Sequence, residues 1–257
     1  IYIVKDCIET EIFMKNIAMR LMYDGTAYHG WQYQNNAVTV QQTIEDALEK
    51  LLKKPTKVTG CSRTDSGVHA LDYVMNFHTD TGIPTEKLPY ALNYLLNRDI
   101  AVTEAWEVPE NFNARFSSKG KRYEYKIWNS KMRNPFCGGY SWYVPYRLDL
   151  DAMRRSAKHF EGKHDFSAFM ASGGSQKTTV RTIRVCRVES DENMITVTVE
   201  ADAFLYNMVR IITGTLAEVG FGKIMPDEIP RIIDSCERSM SGLTAPPEGL
   251  FLKKVYY

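Results

Sequence analysis

Ile17-Ala18-Met19-Arg20-Leu21-Met22-Tyr23 places apolar Ile17, Met19, Leu21 and Tyr23 at every second position. That period puts them on one face of a strand. Reading outward, a glycine-bearing loop follows at 24–36. Thr39 then stands three residues before Gln42, the spacing of a capping box, and Val40, Ile44, Leu48 and Leu51 recur at helical intervals. Residues 58–62 read as a short strand entering a polar turn at 63–67. Leu71, Tyr73, Met75 and Phe77 alternate as the next strand. Leu88, Leu92, Leu95 and Leu96 mark a second helix, and Ile100–Val108 a further strand. The order β-α-β-β-α-β is the split βαβ, or ferredoxin-like, unit. Its two helices cover one face of the sheet and leave the other free.

The second half repeats this order more loosely. A strand is expected over 121–128, then a helix capped by Asp149 with Met153, Ala157 and Phe160 inward. Strands at 178–189 and 194–203 flank a polar turn, an apolar helix covers 204–219, another helix follows Pro226, and Leu250–Tyr256 closes the chain as a strand. The fold expected is α+β: two ferredoxin-like (RRM-like) halves, 14–110 and 111–257, forming an extended, mainly antiparallel sheet with helices on one face. Residues 1–13 are read as an N-terminal extension, disordered or foreign to the native chain.

Composition narrows the function. The 257 residues are 44% hydrophobic and 25% charged, ordinary globular values, and no apolar run is long enough for a membrane span. Thirty-two Lys and Arg face 31 Asp and Glu, a net charge of +1, so an anionic partner must be met by a local patch. Five scattered cysteines form no CxxC pair, the histidines form no HExxH, and GxGxxG, GxxxxGK[ST] and GxSxG are absent. No metal and no cofactor is expected. The acidic opening residues break a signal peptide's apolar core, which with the thiols points to the cytoplasm.

The chemistry concentrates in Gly60-Cys61-Ser62-Arg63-Thr64-Asp65-Ser66-Gly67-Val68-His69-Ala70. The residue types alone leave three readings open. One is a surface turn held by an Asx bond from Asp65, with a screened Arg63–Asp65 contact. Another makes Asp65 a nucleophile or base beside a cation. In the third, Cys61 and His69 supply a thiol nucleophile, with no evident third orienting group.

RTDSGVHA at 63–70 resembles the catalytic motif of the TruA-type tRNA pseudouridine synthases. Other blocks resemble the same family in order: Tyr23-Asp24-Gly25-Thr26 with Gly30-Trp31-Gln32, Asn113-Ala114-Arg115-Phe116 before Lys121-Arg122-Tyr123-Glu124-Tyr125, His164-Asp165-Phe166, Val180-Arg181-Thr182-Ile183, Phe204-Leu205-Tyr206-Asn207-Met208-Val209-Arg210, and Glu248-Gly249-Leu250-Phe251-Leu252. The resemblance implies isomerisation of uridine to pseudouridine at positions 38, 39 and 40 of the tRNA anticodon stem-loop, by a homodimer, at a site between the halves. It implies Asp65 as the reactive carboxylate, whether by attack at C1′, attack at C6 or a glycal route. By resemblance, Arg210 keeps that carboxylate ionised, Tyr123 stacks on the uracil, and Arg63 supports the flipped nucleotide. Leu250 is a further candidate to close the pocket.

Charge is uneven along the chain. Residues 115–133 hold Arg115, Lys119, Lys121, Arg122, Lys126, Lys131 and Arg133 against one acid, Glu124, and 177–187 add Lys177, Arg181, Arg184 and Arg187 with none. Such patches suit RNA phosphates, and Arg115, Lys121 and Arg122 are the RNA-binding candidates. A non-catalytic RNA-binding protein on the same fold is the alternative, although 119–123 is a poor echo of an RNP1 strand. A carboxylate hydrolase using Asp65 would lack its second acid.

Overall fold

The computed structural model describes residues 14–174 and 177–257. The expected extension at 1–13 lies outside them. In chain order the elements are β1 (Lys15–Tyr23), α1 (Val40–Leu52), β2 (Thr59–Gly60), β3 (His69–Thr79), α2 (Leu88–Leu95) and β4 (Ile100–Val108). They continue with β5 (Gly120–Asn129), β6 (Trp142–Val144), α3 (Leu150–Lys158), β7 (Gly162–Asp165), β8 (Val180–Asp191), β9 (Met194–Ala201), α4 (Met208–Gly220), α5 (Ile229–Ser235) and β10 (Leu250–Tyr256).

All the strands join one sheet in the order β4-β1-β3-β10-β5-β9-β8-β7, with β2 on β3 and β6 on β5. Taking β1, β2, β3 and β4, and likewise β5, β8, β9 and β10, as first to fourth, both segments run fourth-first-third-second: β4-β1-β3-β2, then β10-β5-β9-β8. The pairings are antiparallel except β6 on β5 and β10 on β3. The β3–β10 ladder has two register pairs, Phe251↔His69 and Leu252↔Ala70, and it joins the segments into one sheet.

The core follows from the alternation. Ile17, Met19 and Leu21 are fully buried and pair with Phe77, Met75 and Tyr73. Across the junction the same face continues through Ala70, Leu252, Tyr123 and Val199. The opposite face carries charge: Arg20 with Asp72 and Glu104, Arg122 and Arg184 with Glu200, and Lys253 with Glu124. Thr39 caps α1 by accepting from the Gln42 N–H at 3.3 Å, and Asp149 caps α3 through the Asp151 and Ala152 N–H groups.

Several expectations need correction. The strand expected at 58–62 shrinks to two residues because Tyr73 Oη takes the Ser62 carbonyl, while Cys61 N–H goes to Val74 O. The helix expected from 204 begins at Met208. Asn207, at φ 59°, turns the chain into it, and Asn tolerates that left-handed backbone better than most residues. Leu71 and Leu95 lie exposed rather than in the core. The connection after β4 is tied to the sheet. Asn16 Nδ2 donates to the carbonyls of Pro109 and Phe112 at 3.0 Å each, and Asn76 Oδ1 accepts from the Ala114 N–H at 2.8 Å.

Candidate active site

The loop between β2 and β3 is clamped by the loop after β1. Trp31 N–H donates to Thr64 O at 3.1 Å, Gly67 N–H to Tyr28 O at 3.2 Å, and Val68 N–H to Asp65 O at 3.2 Å. Tyr23 Oη and Thr64 Oγ1 are 2.8 Å apart. Gly30, at φ +82°, permits this closeness, since a Cβ there would lie 2.4 Å from Thr64 O. Beneath the loop, Trp31 stacks on Tyr73 with centroids 4.0 Å apart. The backbone carrying Asp65 is therefore held from both ends, and its side chain is left to point elsewhere.

It points to Arg210, at the start of α4. Arg210 Nη1 lies 3.4 Å from Asp65 Oδ2, with 15% and 25% of the side chains exposed. The guanidinium is itself fixed: Nε donates to Ala245 O and Nη1 to Asn207 Oδ1, both at 2.8 Å. Gly214 lets the segment that carries Ala245 pack against α4, because a Cβ there would meet Leu243 O at 1.8 Å. Among the described residues Arg210 is Asp65's one side-chain hydrogen-bond partner, so the Asx turn and the Arg63–Asp65 contact are not formed. Burial pushes the Asp65 carboxyl above its ordinary range, and the attraction of Arg210 only partly offsets this. That corrects the expectation of a simply lowered value.

Tyr123 completes the group from β5. Its ring is buried against Phe204, edge-on at 4.9 Å, and its hydroxyl is 3.4 Å from Ser62 Oγ. Burial holds the phenol well above its ordinary pKa, and the charge of Asp65 adds to the rise. A protonated phenol can stack and donate; it is a poor phenolate base. A carboxylate, a fixed cation and an aromatic wall, drawn from three distant parts of the chain, thus meet on the helix-covered face.

A family model described as tRNA pseudouridine synthase matches residues 19–117 and 156–257. The chain belongs to that family. A tRNA pseudouridine synthase A of Thermoanaerobacter sp. (strain X514) is 50% identical over 244 residues, 95% of this chain and 100% of its own length. The enzyme of that name from Acetivibrio thermocellus is also 50% identical over 244 residues, with the same coverage. A tRNA pseudouridine synthase A 2 of Clostridium perfringens is 46% identical over 244 residues, again 95% and 100%. Tyr123 falls between the two ranges that the tRNA pseudouridine synthase model matches.

The other expected residues scatter around this synthase-family site. Arg63 is exposed and forms no ion pair among the described residues, which leaves its guanidinium available beside Asp65. Leu252, not Leu250, lies directly across from Tyr123; Leu250 pairs with Tyr125. Lys121 shares the Tyr123 face but is buried, donating to Ser118 Oγ at 3.2 Å. Arg122 faces the other side and is held by Glu200. Arg115 is exposed, its guanidinium over the Phe116 ring at 5.5 Å. In the second basic run, Arg184 and Arg187 are paired with Glu200 and Glu189, and Arg181 is buried. The thiol reading fails: Cys61 is buried, its pKa is pushed up to about 12, and His69 bonds elsewhere.

The residue reading missed Asn207, Ser62 and Phe204. Only Asn207 left a usable signal, an asparagine at the entry to an apolar helix. No group of three or more His, Cys, Asp or Glu side chains is placed for a metal ion among the described residues, and no helix there is long and apolar enough to cross a membrane.

Proposed function

We propose that this chain isomerises uridine to pseudouridine in tRNA, at positions 38, 39 and 40 of the anticodon stem-loop, as a cytoplasmic homodimer. The observation that carries the reading is Asp65: a carboxylate in a clamped loop, one-quarter exposed, with a pinned arginine as its partner. The reaction breaks N1–C1′, turns the base and joins C5 to C1′. The proton lost from C5 balances the one gained at N1.

In this reading Asp65 meets the nucleoside as the glycosidic bond breaks, either bonding to it or stabilising positive charge at the sugar. Arg210 aims the carboxylate and partly offsets the effect of its burial. Tyr123 walls the pocket so that the detached uracil stays against C1′. A stem uridine must leave its stack first, at a cost of a few kcal/mol, and exposed Arg63 supports the extruded state. Arg115 contacts the phosphate backbone. The halves divide near residue 110, the first bringing Asp65 and the second Tyr123 and Arg210.

Pseudouridine mapping tests this. Unmodified tRNAs incubated with the purified protein, without added metal or nucleotide, should acquire pseudouridine at those three positions. Absence of the modified base would overturn the reading.

A further inference from the structure

Behind the reacting groups, on the opposite face of the sheet, sits an imidazole that the chemistry above does not use. His69 opens β3, four residues after Asp65, and is 1% exposed. Its Nδ1 accepts the Gly25 N–H at 3.1 Å. Its Nε2 lies 3.0 Å from Gly139 O and 3.2 Å from Glu248 O. Two carbonyls need a donor, so the proton belongs on Nε2, shared between them. Asp24 Oδ1 is also 3.1 Å from Nδ1. That carboxylate already accepts from Thr26 N–H and Oγ1 and from Tyr140 Oη, so it has no need of a proton from the ring. The ring stacks on Phe251, centroids 4.7 Å apart and planes 22° apart.

One side chain thus ties three segments together: the loop after β1, the excursion between β5 and β6, and the turn into β10. It does so where the two segments of the sheet pair only briefly. The β3–β10 junction has two register pairs, and His69 supplies one member of the first. The second pair, Ala70↔Leu252, continues to Tyr123 in the next strand. The spacing between the Asp65 loop and Tyr123 therefore runs through the strand that His69 anchors.

We propose that His69 is a positioning residue that sets the Asp65 loop against Tyr123 and Arg210 through its Nε2–H bonds to Gly139 and Glu248. The proposal rests on Asp65 and Tyr123 being the reacting pair. A small displacement there is costly, since misplacement by about 1 Å can slow an enzyme about a hundredfold.

The test compares the parent with His69→Ala and His69→Gln, the glutamine amide offering an N–H near the place of Nε2–H. Single-turnover rates on tRNA, tRNA affinity and amide hydrogen exchange are measured on each folded protein. For His69→Ala we expect a rate at least about tenfold lower, tRNA affinity within about threefold, and faster exchange confined to the Gly25, Gly67 and Val68 amides and their neighbours. His69→Gln should recover most of the rate and the protection. An unchanged rate and exchange in His69→Ala would overturn the proposal. So would uniformly faster exchange across α1 and α4, which would make His69 a general stabiliser, and so would a glutamine variant no better than alanine. If the parent itself forms no pseudouridine, the functional reading fails alone, and the exchange pattern still decides the role of His69.

Discussion

Arg122 and Tyr123 are neighbours on β5 that face opposite sides of the sheet, and the two sides use arginine and carboxylate to opposite ends. On the open side Glu200 accepts from Arg122, Arg184 and Tyr256. Burial alone would raise its carboxyl, but those hydrogen bonds win and hold it below the ordinary range. On the helix side Asp65 has Arg210 at 3.4 Å, and burial wins. The balance between desolvation and the donors that meet the group decides the sign. A carboxylate met by three donors is settled and structural. One met by a single, longer contact keeps unused acceptor capacity, as the proposed chemistry at Asp65 requires.

The sharpest break of this contrast is Asp65→Ala. Pseudouridine formation should fall by more than about a thousandfold while tRNA binding survives. Ordinary turnover in that variant would move the chemistry elsewhere; lost binding would make Asp65 a docking group instead. Tyr123 comes next. Tyr123→Phe keeps the ring and should cost less than about tenfold in rate, whereas Tyr123→Leu removes a stacking surface and should cost about ten- to a hundredfold. Equal rates for the two variants would show that the ring face is not used.

The open side should answer in stability rather than rate. Glu200→Gln should destabilise the protein by about 1–3 kcal/mol at neutral pH, read by denaturant unfolding, with turnover per folded molecule unchanged. Because the folded-state pKa of Glu200 is lowered, its contribution exists above the unfolded pKa and is lost as pH falls through the folded one. The difference between Glu200→Gln and parent should therefore shrink in acid.

Asp65 predicts the opposite sign and the smallest effect. Its raised folded-state pKa means that stability is lost as pH rises through that pKa. Asp65→Asn, a neutral mimic, should melt a few degrees higher than the parent at neutral pH, and the gap should close in acid. A variant that melts lower at neutral pH would mean that Arg210 outweighs burial after all.

Much of this was legible along the chain because it depends on local period. The alternation of Ile17, Met19 and Leu21 with β3, the cap at Thr39 and the limits of β4 and β10 follow from neighbours in sequence. The site was legible differently: Asp65, Tyr123 and Arg210 came from a family likeness, not from spacing. A charge count does not reveal that Arg122 is held by Glu200 and that Lys121 is buried beside Ser118. The start of α4 was missed because Phe204, Leu205 and Tyr206 continue the apolar run of the helix they precede.

Sequence by itself determined that Ile17, Met19 and Leu21 share the core face of their strand, because a side chain's face in a strand follows from a repeat of two residues. Only the tertiary structure decided that Asp65 and Arg210, 145 positions apart, share one carboxylate–guanidinium contact, and that burial rather than the cation governs it. Desolvation depends on everything packed around a group, and no local pattern encodes that.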